Sequence, residues 1–117
     1  MTPPPVEIRL HRVDRQLDVD FGAAGRYWLP AELLRVESPS AEVQGHGPGQ
    51  RKTVPGKRLV GIKAVEPVGH YAVRLVFDDG HDTGIYTWDY LRQLGADQER
   101  RWADYLDALA SKGFSRD

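Results

Sequence analysis

From residue 73 to 77, apolar Val73, Leu75 and Phe77 alternate with Arg74 and Val76, the two-residue period of a strand with one buried face. Asp78-Asp79-Gly80 reads as a turn, because Gly accepts positive φ and Asp bonds its own backbone. Residues 81–86 return as a second strand. Thr87 then suits a helix N-cap, Asp89 lies in the first turn where the macrodipole favours an anion, and Gly95 is placed to close the helix in the left-handed conformation. Nearer the start, Ile8 and Leu10 flank Arg9, while Leu17, Val19 and Phe21 alternate with Asp18 and Asp20. This predicts a hairpin turning at 13–16. A turn at 22–25, a short strand at 27–29 and a helix opening at Pro30 and running to Val36 follow.

The pattern repeats. LDVDF, turn, YWL, PAELLR matches VRLVF, turn, GIY, TWDYLR with one gap, and either duplication or chance similarity accounts for it. Two further strands are predicted at 58–65 and 71–77, with a turn at 66–70. In the last segment Trp102, Tyr105, Leu106 and Leu109 recur at helical spacing over 97–112, with Asp97 as cap and Gly113 as stop. Periodicity vanishes over 38–56, where four glycines and three prolines predict a long surface loop, mobile at least in part. The fold class is therefore α+β. It combines a mainly antiparallel sheet of five or six strands, built from two strand-turn-strand-helix units, with a C-terminal helix.

We expect a disordered proline-rich tail at 1–5, one domain at 6–95, and a helix with its tail at 96–117. The expected core comprises Ile8, Leu10, Val19, Phe21, Trp28, Leu33, Leu34, Ile62, Val73, Leu75, Phe77, Tyr86, Trp88, Leu91, Trp102, Leu106 and Leu109.

Composition narrows the chemistry. With 117 residues, 40% hydrophobic and 28% charged, the chain has the make-up of one ordinary globular domain. The absence of cysteine excludes disulfides, a catalytic thiol and any thiolate zinc or iron–sulfur ligation by this chain alone. The start has no basic stretch leading an apolar run, and no window is long and apolar enough to span a membrane, so we expect a cytoplasmic protein. A net charge of −1 advertises no polyanionic partner, yet the charge is lopsided. Residues 44–63 carry five basic side chains and no acidic one, whereas 78–117 carry nine acidic against five basic.

Arg51, Lys52, Lys57 and Arg58 are candidates for an anion contact, although a solvated loop explains them more simply. No interleaved aromatic supports base stacking, so nucleic acid is not expected. Gly45, Gly47 and Gly49 fit neither the dinucleotide fingerprint nor a Walker A loop. His11, His46, His70 and His81 lack the paired spacing of a metal site, and no serine sits in a nucleophile elbow. Asp78, Asp79, Asp82 and Asp89 lack the ligand order of a calcium loop.

Leu34-Arg35-Val36-Glu37-Ser38-Pro39-Ser40-Ala41-Glu42-Val43, together with Asp79-Gly80-His81 and Trp88-Asp89-Tyr90-Leu91, resembles the gamma-butyrobetaine hydroxylase-like N-terminal domain in its short stand-alone bacterial form, a domain of unknown function. The resemblance covers about residues 6–95. It implies a domain that in the hydroxylases precedes a separate iron and 2-oxoglutarate catalytic domain. We find no counterpart of that catalytic domain in this sequence and expect no enzyme. The resemblance also implies a structural zinc held by three cysteines and a histidine. Those positions fall here on Ser38, Ser40, Val43 and His81, so we expect no zinc and no cofactor, with His81 the sole candidate for any metal contact.

The leading expectation is a small non-catalytic protein-interaction or adaptor module, a monomer or weak homodimer. Tyr86, Trp88, Asp89 and Tyr90, or the C-terminal stripe, would form its docking face; core packing is the competing explanation for these aromatics. Relatives joined to iron–sulfur carrier ATPases imply a role near iron–sulfur cluster assembly. The alternative is a metal- or small-ligand-binding accessory domain with its site near His81.

Overall fold

A computed structural model describes residues 2–47 and 49–117. Strands β1 (Glu7–His11), β2 (Gln16–Asp20) and β3 (Arg26–Pro30) form one antiparallel sheet in that order, and helix α1 (Ala31–Val36) follows. A one-turn helix, α2 (Ala41–Gln44), leads into the second half. There β4 (Ile62–Val68), β5 (Ala72–Phe77) and β6 (Ile85–Thr87) form a second antiparallel sheet, followed by α3 (Trp88–Ala96) and α4 (Gln98–Lys112).

The fold is α+β with antiparallel pairing, as the alternation predicts, but the strands divide into two three-stranded sheets instead of one. Edge strands β1 and β4 abut, with Ile8 and Leu10 beside Val65, Pro67 and Val73 along one cleft. Pro67 offers no backbone donor and so suits an edge strand.

Equivalent residues of the two halves make equivalent pairs. Leu17 faces Leu29 as Val73 faces Tyr86, and Ile8 faces Val19 as Val65 faces Leu75. Leu34 of α1 and Leu91 of α3, matched across the gap, are both fully buried. The repeat seen in the sequence is thus a repeat of structure, with a preceding strand added to each unit. Both inner faces and both helices contribute to one core, which includes Leu17, Val19, Leu29, Leu33, Leu34, Leu75, Phe77, Tyr86, Leu91 and Leu94.

Several expectations change. Trp28 is 44% exposed because the register pairs it with Asp18 on the outer face, while Tyr27 and Leu29 flank it on the inner face. Leu106 is 40% exposed, and α4 buries Tyr105 and Leu109 against Val36 and Val54. Trp88, Trp102, Ile8 and Leu10 pack on the core while only half-buried. Gly95 does not close α3. It lies inside the helix, where a Cβ would run into the Tyr27 ring, so the residue is small because α3 crosses β3 closely. Thr87 does cap α3, its hydroxyl accepting from the Tyr90 amide at 3.2 Å, and Gly113 ends α4 in the left-handed region.

Strand β4 reaches Val68, so the turn predicted at 66–70 begins only at Gly69, and β6 begins at Ile85, later than predicted. In the tail, Thr2 is buried against α3, donating its amide to Asp89 at 2.9 Å. Met1 of that tail and Pro48 of the 38–56 segment lie outside the described residues.

Candidate functional site

The segment after α1 does not run free. Ser40 caps α2 by accepting from the Glu42 amide at 3.2 Å, and Ser38 accepts from the Ser40 amide at 3.2 Å. Val43 is buried, and its carbonyl accepts from the Lys52 amide at 2.7 Å. A segment predicted as a long surface loop is therefore anchored at both ends of α2, by side chains that favour caps over loops.

This anchoring brings Ser38, Ser40 and Glu42 onto the turn between β5 and β6. His81 Nε2 lies 2.8 Å from the Ser38 hydroxyl, and His81 Nδ1 lies 2.9 Å from the Glu42 carboxylate. Ser40 and Thr83 share a hydroxyl–hydroxyl bond of 2.7 Å. Donor bookkeeping assigns the tautomer. The carboxylate can only accept, so Nδ1 carries the proton, and Nε2 accepts from the Ser38 hydroxyl. Burial, reinforced by the nearby Arg35 charge, lowers the His81 pKa below its ordinary value, against the opposing pull of Glu42 and Asp79.

Beneath His81, Asp79 accepts from the His81 amide at 3.0 Å and pairs with Arg35 at 2.8 Å and Lys57 at 2.7 Å. Burial works to raise the Asp79 carboxyl, but Lys57, the His81 amide and Arg35 prevail and hold it down to about 2. The row Ser38, His81, Glu42 has the order of a hydrolase relay. However, Ser38 is wholly sealed from solvent, and the principal clefts are lined by other residues. A nucleophile needs a reachable carbonyl, and this buried arrangement instead ties two segments together.

The other candidates scatter. Arg51 pairs with buried Glu37, Lys57 with Asp79, and Arg58 with Asp117. The four basic candidates thus form no joint anion surface, and three of them neutralise carboxylates of the protein itself. Tyr86 is in the core with its hydroxyl donating to the Leu34 carbonyl, which removes it from any docking face. Tyr90 is half-buried and donates to the Glu37 carbonyl, Trp88 donates to the His70 carbonyl at 2.9 Å, and Asp89 is exposed.

Sequence reasoning missed Glu42, Thr83 and Glu37 as participants. Only Glu42 left a signal, as an acidic residue just inside a Ser-capped turn.

Two sheet-and-helix units, joined through a polar knot between 38–42 and 79–83, define a small α+β domain with an internal structural repeat. The family described as Gamma-butyrobetaine hydroxylase-like, N-terminal, matches residues 8–92, and the chain belongs to that family. One solution NMR structure is 51% identical over all of this chain and 92% of its own, with a TM-score of 0.88. A second is 48% identical over 98% of this chain and 86% of its own, with a TM-score of 0.84. A crystal structure of a DUF971-family protein of unknown function from Acidithiobacillus ferrooxidans is 46% identical over 79% of this chain and 92% of its own, with a TM-score of 0.65. No curated protein matches. The match is to the small N-terminal domain, and the solved relative whose family is named belongs to one of unknown function.

The zinc site that the resemblance implies does not fit the residues present. Ser38 meets His81 with Ser40 beside it, but Val43 has no donor atom, Ser38 and Ser40 are neutral hydroxyls, and both His81 nitrogens are engaged within the protein. Zinc selects thiolate, imidazole and carboxylate. Hydrogen bonds occupy the place of coordination.

Proposed function

We propose that the chain is a non-catalytic interaction module that docks on a protein partner through the outer face of its second sheet. The observation that carries this reading is a contrast between the two outer faces. On the first sheet that face holds Glu7, Arg9, Asp18, Asp20 and Arg26, with Arg26 donating to Asp18 at 3.0 Å. On the second sheet, half-buried Ala64, Val68 and Val76 and, at 43% exposure, Ile85 present apolar side chains around the Arg74–Glu66 pair, while Ala72 on the same face is buried. The helices pack on the opposite side, where Val73, Leu75, Phe77 and Tyr86 join the core. Strand β6 also leaves one edge open.

Charge defines the partner. Glu66 and Asp82 share Arg74 on this face, and residues 78–117 carry excess acid, so the complementary surface is apolar with a basic rim. A cytoplasmic adaptor near iron–sulfur cluster assembly is the specific setting we assign to it. That part rests on the family resemblance. Among the described residues, no helix is long and apolar enough to cross a membrane. The alternative reading, a ligand site at His81, has less support because the imidazole is sealed and committed on both nitrogens.

The test is capture of partners by the wild-type chain and by two single variants, Ile85→Asp and Trp28→Ala, followed by binding with the purified partner. Both positions are solvent-facing, so both variants fold. The reading predicts that a basic-rimmed partner, expected among iron–sulfur assembly proteins, is lost with Ile85→Asp and kept with Trp28→Ala. Equal retention by both variants would overturn it.

A further inference from the structure

We infer that the cleft between residues 51–53 and α4 is a binding site for a small ligand bearing a dianionic oxyanion group, with a phosphate ester as the natural form. The cleft encloses about 380 Å³, the scale of a small-molecule site. Arg51, Lys52, Arg100 and Arg101 line it, against the carboxylates of Glu37 and Asp104. These six side chains balance at two positive charges; Asp97, beside the lining, meets Arg100 at 3.0 Å and Asp104 meets it at 3.5 Å, and the remaining positive balance favours an anion.

The floor is organised in advance. Glu37 is only 3% exposed and holds Arg51 by a direct ion pair and Arg101 Nη1 at 3.5 Å. The Arg101 guanidinium also lies 5.7 Å from the Tyr90 ring centre, stacked over its face. Two guanidinium groups are thereby fixed before any ligand arrives, which lowers the ordering cost of binding. Arg101 Nε is buried and has no hydrogen-bond partner; its approach to Asp97 is 3.9 Å, beyond hydrogen-bond distance. Lys52 is exposed at the rim and takes no part in the ion pairs found among the described residues. Glu37 sits between the two arginines as their anchor, and its own charge is met by both, so it does not repel the ligand uncompensated.

This site is separate from the docking face, which lies on the other sheet surface, and does not depend on it. The test is an NMR titration of the intact chain with inorganic phosphate and, separately, glycerol 3-phosphate, following backbone amides and arginine Nε–H signals at constant ionic strength. The inference predicts saturable shifts confined to 51–53 and 100–105, including the Arg101 Nε–H signal, with affinity about tenfold weaker in the surface variant Lys52→Ala. Arg101→Lys, which keeps the charge and removes the fork, should abolish saturation, and its unchanged far-ultraviolet spectrum would confirm folding. Shifts that never saturate, that spread equally to Arg58 and Lys63, or that survive Lys52→Ala unchanged would overturn the inference, as would the absence of any shift.

Discussion

The two halves of this domain share strands, pairs and a core helix, yet they differ where strand two turns into strand three. In the first half that connection is the short 3₁₀ turn Gly22–Ala24, closed by Gly25, and it touches little. In the second half it is the 78–84 segment, which carries His81, Asp79 and Thr83 into bonds with α1 and the chain after it. The two halves repeat one scaffold. A scaffold position that needs only to turn keeps glycine and alanine, while its counterpart has become the place where distant segments are tied together. The outer faces diverge as well: the first is mainly charged, while the second sets Ala64, Val68, Val76 and Ile85 around the Arg74 ion pairs.

The sharpest way to break the comparison is through the shared core. Leu34→Ala and Leu91→Ala remove equivalent, fully buried side chains. Each should cost about 2–5 kcal/mol in denaturant unfolding, with the two values close to each other. A large disparity would mean that the halves are not energetic equivalents. Next in size is the connection itself. His81→Ala leaves the Ser38 hydroxyl and the Glu42 carboxylate without their shared partner, and should cost about 1–3 kcal/mol. Ala23→Ser, in the matching turn, should shift stability by less than about 0.5 kcal/mol, since Ala23 is exposed.

The strand and helix alternation was legible because one face of every strand is buried, so period two is imposed by the core. The same logic made the repeat visible through Phe21 and Phe77, both of which are buried. What could not be read was tertiary in origin. Gly95 looked like a helix stop because glycine has two uses, and only the crossing of α3 over Tyr27 distinguishes them. Trp28 looked like core because its size outweighs its register. The Ser38, His81 and Glu42 contact joins residues far apart in the chain, and only the alignment of positions in the family resemblance hinted that they meet.

A smaller effect follows from titration. The His81 pKa is lowered in the folded state, so between that value and about 6.5 the unfolded chain binds the extra proton. Stability is therefore full above about pH 6.5 and declines as pH falls through this window. Urea midpoints measured from pH 7.5 to 5 should show that decline, and His81→Asn should flatten it. A second loss belongs to Asp79, whose contribution is present above about pH 4 and disappears as pH falls toward about 2. Least of all, Leu106→Ala should change stability by under about 0.5 kcal/mol, because the side chain faces solvent instead of the α4 stripe.

The most direct test of the account is the state of the His81 ring, read from its two nitrogen-15 shifts in the intact protein with and without a zinc chelator. The account predicts a neutral imidazole at pH 7 with the proton on Nδ1, titrating below about 6.5 and indifferent to the chelator. A metal-bound nitrogen whose shift moves when zinc is removed, or a ring protonated at neutral pH, would contradict the claim that hydrogen bonds alone hold the second half's distinctive connection in place.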